Sequence, residues 1–148
     1  MPTQIPNLWP MDEIAVDVLS PLVILRAQAT ELERLTQGVL RAEVVSETEG
    51  DDPEFETHRL DVIAPAVGNL RRTLATVSHA EDGAYPVSVH GEGKASSQIE
   101  FEVLLRRQLA SSEVSSTIQS LLAKSNERKR PQPAGKPSEP GTPPAKAT

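Results

Sequence analysis

The chain has 148 residues, the usual length of one domain, and 37% of them are hydrophobic but only 3% aromatic. Residues 127–148 carry +3 of the net charge of −6, so the first 126 residues carry −9. The acidic body disfavours a broad nucleic-acid surface, which needs Lys and Arg against phosphates, and the lack of cysteine excludes disulfides and thiolate metal sites.

Residues 1–19 form an N-terminal arm with three prolines. The arm lacks the basic start and apolar centre of a signal peptide, and no stretch of the chain approaches the roughly 18 apolar residues of a membrane span. We therefore expect a cytoplasmic protein without membrane contact, and its Ala/Arg-rich body is typical of bacteria. Trp9 either anchors the arm to the core or stays exposed as a partner anchor. Ile14, Val16 and Val18 alternate with other residues, which favours a short strand.

Residues 20–40 carry the clearest structural signal. Ser20 is a good N-cap, Pro21 suits the first helical position, and Gly38 suits the exit. Apolar residues recur every three or four positions and predict one buried helix face: Leu22, Leu25, Ala29, Leu32, Leu35 and Val39.

The middle of the chain predicts an antiparallel sheet of three or four strands. Alternation suggests a strand from residue 40 to about 48, and a second strand that carries Leu60, Val62 and Ala64 on one side. Residues 70–79 and 85–90 then read as a hairpin with a loop of about four residues. Residues 91–94 are expected to be a flexible link.

Two apolar stripes follow the sheet. Ser97 and Glu100 match a capping box at the start of a helix, and a second stripe ends near residue 125. The spacing does not decide whether residues 97–125 form one helix or two. Residues 127–148 contain six prolines and no large apolar residue, which predicts a disordered basic tail. We therefore expect an α+β domain over residues 20–126, between the arm and the tail.

No catalytic, cofactor or metal site is apparent. The expected hairpin register places His79 opposite Ala84 and His90 opposite Thr73, which separates the two histidines by roughly 20 Å. The many carboxylates, from Asp12 to Glu56, read as a solvated surface. Nucleotide loops, nucleophile elbows and close metal-ligand spacings are absent from the sequence.

We expect a non-enzymatic interaction protein, chaperone-like or regulatory, that binds a protein partner or a second copy of itself. A homodimer would use apolar residues of the arm and the C-terminal stripes, which are Trp9, Phe101, Leu105, Leu109, Val114, Ile118, Leu121 and Leu122.

Two alternatives stay open. Residues 98–130 faintly resemble a helix-turn-helix, which would present Ser115, Ser116, Gln119 and Ser120 to the major groove of DNA. The acidic body and the lack of positive charge before Lys124 argue against it. The third reading is a small enzyme whose site is assembled from scattered residues, and a pocket that gathers His58 or His79 with a carboxylate would favour it.

Overall fold

A computed structural model describes residues 4–10, 12, 14–48 and 55–129 of the protein. In these ranges one antiparallel sheet has five strands in chain order, with one helix before it and two after it. The elements are α1 (Pro21–Leu35), β1 (Arg41–Thr48), β2 (Phe55–Ala64), β3 (Leu70–Ala80), β4 (Val87–Val89), β5 (Gly93–Ala95), α2 (Gln98–Leu109) and α3 (Ser112–Lys129). The α+β architecture is as predicted, but the strand count of three or four was wrong.

Helix α1 has the predicted ends. The Ser20 hydroxyl accepts a hydrogen bond from the Val23 amide, and Pro21 occupies the first turn. At the other end Gly38 has a φ of +79°, and its amide donates to the Glu33 carbonyl at 2.9 Å. The helix ends at Leu35, and Gln37 and Gly38 then both have positive φ, a conformation that glycine adopts without a Cβ clash, so the chain turns here into β1. Among the predicted face residues, Leu25 is fully buried whereas Leu35 is 67% exposed.

The core lies between the sheet and the helices. Leu60, Val62 and Ala64 of β2 are fully or almost fully buried, as the alternation predicted. Helix α1 covers β1 and β2, α2 covers β3 to β5, and α3 packs against β2 and a short 3₁₀ turn at Pro65–Val67. Among the described helices, none has the length and apolar composition needed to cross a bilayer.

The sheet differs from the prediction at its far edge. Val77 pairs with Val89 and His79 pairs with Val87, so the connection between β3 and β4 spans residues 81–86 rather than four residues. The predicted pairing of His79 with Ala84 was therefore wrong. Gly93 and Lys94, expected to belong to a flexible link over residues 91–94, instead form β5 with Ala95 against β4, with Val87 opposite Ala95. The hydrogen bonds of β4 thus continue into one further short strand.

The two ends of the domain also differ from the prediction. Residues 14–19 form no strand, and Val16 is 99% exposed, because this segment lies outside the sheet. Residues 97–125 contain two helices, and the Ser111 hydroxyl accepts from the Val114 amide at the start of α3. Helix α3 continues to Lys129, past the expected boundary at residue 126. The rest of the predicted tail, residues 130–148, lies outside the described residues.

Candidate functional site

The eight residues predicted to bind a partner separate into two groups. Phe101, Leu105, Val114 and Leu121 are buried in the chain's own core, so their side chains are not available to a partner in this structure. The other four are accessible in part or in full: Trp9, Leu109, Ile118 and Leu122. Trp9 is 73% exposed, so in this structure it does not anchor the arm to the core. A partner-binding role for the accessible group stays a prediction.

A groove lies between α1 and α2, with a volume of about 590 Å³. One wall includes Val23 and Ala27, which are four residues apart on α1, and the other includes Leu105 and Leu109, four apart on α2. Because residues four apart lie on one helix face, each helix presents an apolar row to the groove, and on α2 the accessible member of that row is Leu109, since Leu105 is buried in the core. Arg106, Glu102 and Gln28 supply its polar groups.

The N-terminal arm leaves the domain at this groove. Leu19 lines it, and hydrogen bonds hold both backbone groups of Leu19: its amide donates to Gln98 Oε1 at 2.8 Å, and its carbonyl accepts from the Tyr85 hydroxyl at 2.7 Å. Beyond this point the large apolar side chains of the arm are exposed, namely Ile5, Leu8, Trp9, Ile14, Val16 and Val18. The groove and the exposed arm are therefore adjoining apolar surfaces.

A buried carboxylate binds neighbouring side chains on the face of the sheet that points away from the helices. Asp61 accepts hydrogen bonds from Arg71 at 2.9 Å and from Thr73 at 2.8 Å, and Arg71 also binds Glu43. The hydrogen bond with Asp61 is the main cause that raises the pKa of Arg71. Arg72 points to the side of α3, where it lines a cleft with Ser116 and Lys124. Arg71 and Arg72 therefore lie on opposite faces of the sheet, as neighbouring residues of a strand do.

A second polar group lies on the helix-covered face of the sheet. Glu56 and His58 are two residues apart on β2, and His79 is the partner of Glu56 on β3. His58 is 1% exposed, and its Nε2 lies 2.9 Å from Nε2 of His79. The separation predicted from the hairpin register concerned His79 and His90, so the distance between His58 and His79 was not predicted. We call Glu56, His58 and His79 the histidine cluster, because among the described residues they could hold a metal ion, with ligand atoms within 4.8 Å of one another.

Hydrogen bonds define the proton positions in the histidine cluster. Nδ1 of His79 lies 2.8 Å from the Ala80 carbonyl, which only accepts, so Nδ1 carries the proton and Nε2 of neutral His79 is an acceptor. Nε2 of His58 therefore donates to it. The other nitrogen of His58 then accepts from the Ser46 hydroxyl at 2.7 Å. Three strands thus contribute to one continuous chain of hydrogen bonds.

The environment of His58 favours its neutral form. Burial is the largest cause that lowers the pKa of His58, and the neighbouring His79 and Arg26 of α1 lower it further. Glu56 acts in the opposite direction. Neutral imidazole is the form that ligates metals and accepts protons, so the environment of His58 favours the form that such chemistry needs.

Part of the histidine cluster could be predicted from the sequence. The spacing of Glu56 and His58 on a strand places both side chains on one face. The position of His79 opposite Glu56 depends on the register in which β2 pairs with β3. The turn that joins these two strands contains Gly68 and Asn69, which both have positive φ. The structure thus gathers both histidines with a carboxylate, whereas the enzyme alternative named a pocket that contains such a group, and activity itself stays an untested prediction.

The helix-turn-helix candidates lie on α3. Ser115, Ser116, Gln119 and Ser120 are exposed along this helix. Comparison with known proteins gives no further guidance to their role: no protein-family model matches the chain, and no curated protein or solved structure matches it either. Function must therefore be argued from the geometry of the groove, the arm and the histidine cluster.

Proposed function

We propose that the protein is a non-enzymatic interaction module that binds an apolar segment of another protein chain in the groove between α1 and α2. The observation that carries this proposal is the groove itself, with its two apolar rows beside an exposed apolar arm. Its volume of about 590 Å³ lies within the range of roughly 300–1,000 Å³ typical of binding sites. Grooves between helices commonly bind an amphipathic helix or an extended peptide.

A second copy of the chain supplies a suitable occupant. Among its described residues from 5 to 18, the arm carries six exposed large apolar side chains. The arm has acidic residues but no Lys or Arg, and the groove contains Arg106 as a cation together with Glu102 as an anion, so apolar contact rather than charge is the basis of this proposal. Exchange of identical segments between two copies is a low-cost route to a dimer. We therefore propose reciprocal docking of the arm in the groove of the partner copy, which would cover both apolar surfaces.

Light scattering on the full chain tests the groove with a matched pair of variants. Val23 lines the groove and is 45% exposed, whereas Val103 is 44% exposed on α2 and does not line it. We expect a dimer at micromolar concentration that Val23→Asp converts to a monomer, because the new charge would be buried in the docked state. Val103→Asp should remain dimeric. A dimer that tolerates Val23→Asp would exclude the groove as its interface.

Photo-crosslinking distinguishes a second copy from a different partner. A benzophenone side chain at Ala27, in the groove, would be compared with one at Val103 in living host cells. Crosslinks at Ala27 to the arm of a second copy support the dimer. Crosslinks at Ala27 to one other protein support the interaction module and reject the dimer. A monomeric chain without crosslinks specific to Ala27 overturns the proposal.

The DNA-binding alternative predicts a different result. Duplex DNA would bind to the full chain with an affinity that falls steeply as the salt concentration rises. The reason is that binding releases counterions from the phosphates, and this release is less favourable at high salt. Removal of residues 128–130 would abolish that binding. An electrophoretic mobility shift at low and high salt measures both effects. The acidic body leads us to expect no retained duplex in either condition.

A further inference from the structure

We propose that Glu56, His58 and His79 form a binding site for a divalent transition-metal ion, with Zn²⁺ as the representative ion. The ligand atoms are Oε1 of Glu56 and Nε2 of each histidine. This site lies between strands β2 and β3, apart from the groove, so its test is independent of the interaction module.

The spacing of the three atoms matches the size of a zinc site. Oε1 of Glu56 lies 3.6 Å from Nε2 of His58 and 3.8 Å from Nε2 of His79, and the two nitrogens are 2.9 Å apart. The circle through these three points has a radius of about 2.0 Å, and its centre lies inside the triangle. An ion there is at the usual Zn–N distance of about 2.0–2.1 Å and Zn–O distance of about 2.0–2.2 Å. A small displacement of the ion from the plane of the three ligand atoms leaves room for a fourth ligand from solvent.

The outer hydrogen bonds are those of metal-binding histidines. Such residues usually donate their second ring N–H to a carbonyl, carboxylate or water, which fixes the orientation of the ring. Nδ1 of His79 already donates to the Ala80 carbonyl at 2.8 Å. Nδ1 of His58 lies 2.7 Å from Ser46 Oγ, which can accept once its own proton points elsewhere. Both rings therefore have an outer partner.

Binding requires one proton to change position. Without the ion, Nε2 of His58 carries a proton that bridges to Nε2 of His79. Upon binding, that nitrogen gives up its proton and Nδ1 of His58 gains one, so the imidazole stays neutral and changes tautomer. The Ser46 hydroxyl then accepts rather than donates. The ion takes the place of the hydrogen bond between the rings, and no net proton is released from the histidines.

The ligand set and its exposure favour a transition metal over Mg²⁺ or Ca²⁺. Imidazole nitrogen suits zinc, copper, nickel and iron, whereas Mg²⁺ and Ca²⁺ prefer oxygen ligands only. Two histidines with one carboxylate form a known donor set for zinc with an open position. The Glu56 side chain is 36% exposed and that of His79 is 10% exposed, so an ion can enter from the Glu56 side without unfolding the domain.

Titration of the untagged, chelator-treated full chain with Zn²⁺ tests the site by calorimetry. Co²⁺ serves as a spectroscopic probe, because four-coordinate Co²⁺ absorbs strongly in the visible range. We expect one ion per chain and an intense Co²⁺ spectrum. Glu56→Gln and His79→Gln should each weaken Zn²⁺ binding more than tenfold, and Ser46→Ala should weaken it about tenfold through the outer hydrogen bond.

Two controls separate this site from adventitious surface binding. His90→Gln and Glu81→Gln change the same residue types at exposed positions outside the histidine cluster, and both should leave the affinity unchanged. Circular dichroism checks that each variant is folded, and if His79→Gln unfolds, the more exposed Glu56→Gln decides the outcome. The proposal is overturned if the folded wild-type chain binds neither ion, or if His90→Gln and Glu56→Gln weaken binding equally.

Discussion

Truncation of Phe101 to alanine distinguishes a core residue from a partner-binding residue. The sequence placed Phe101 in an apolar stripe available to a partner, whereas in the structure its side chain is 0% exposed. It packs with its ring edge-to-face against Tyr85, at a centroid distance of 6.4 Å. Ile99 lies two residues away on the same helix and is 76% exposed, so it is a matched control.

The structure gives the size of the expected effect. Removal of a buried Phe side chain costs about 3–5 kcal/mol, which combines lost burial with the cavity left behind. Loss of the ring contact with Tyr85 adds about 0.5–1.5 kcal/mol in favourable geometries. We therefore expect a loss in the upper part of the range of 3–5 kcal/mol, about 4–5 kcal/mol. A small domain has a total stability of about 5–15 kcal/mol, so Phe101→Ala should remove a large fraction of it. Ile99→Ala should change the free energy of unfolding by less than about 0.5 kcal/mol.

Urea unfolding followed by circular dichroism measures both variants. At about 4 °C per kcal/mol, the melting temperature of Phe101→Ala should also fall by roughly 16–20 °C. The reasoning fails if Phe101→Ala and Ile99→Ala lower stability by similar small amounts, since Phe101 would then not be a core residue. Loss of dimerisation without loss of stability in Phe101→Ala would restore its predicted role as a contact residue.

Three further variants test other parts of the structure. Burial lowers the pKa of His58, so the unfolded chain takes up a proton at higher pH than the folded chain. In a buffer with a chelator, which keeps metal ions from binding, the free energy of unfolding should therefore fall as the pH drops below about 6.5. His58→Gln should flatten that pH dependence and His90→Gln should preserve it. Gly38→Ala should cost about 1 kcal/mol in urea unfolding because its φ is +79°, whereas Gly83→Ala, without a positive φ, should be nearly neutral. Arg71→Met should lower the urea midpoint, because the buried Asp61 carboxylate loses its nearer cation, at 2.9 Å, and retains Arg59 at 3.6 Å.

The ends of the helices could be predicted from the sequence because their signals are local. Ser20 and Pro21 start α1, and Gly38 ends the turn after it. At the start of α2 the Ser97 hydroxyl accepts from the Glu100 amide, and the Glu100 carboxylate accepts from the amide of Ser96, one residue before the cap, at 2.7 Å. Each of these contacts joins residues at most five positions apart. The buried face of β2 was also predictable, because alternation along one strand does not depend on its partners.

Contacts between distant residues could not be predicted in the same way. The hairpin register was wrong because it depends on the length of the loop before β4, and a shift in register changes every cross-strand pair. The groove depends on how α1 and α2, about 80 positions apart in the chain, pack over one sheet. Apolar residues of α2 could therefore be assigned to a buried or exposed role only from the packed structure.

The sequence by itself determined an acidic α+β domain with a capped first helix, an alternating sheet and two C-terminal apolar stripes. Only the tertiary structure decided that His58 and His79, 21 positions apart, face each other at 2.9 Å beside Glu56. The physical reason is that helix caps and strand faces follow from neighbouring residues, whereas a binding site follows from the register of paired strands. Turns and core packing together determine that register, so the residues of one strand alone do not.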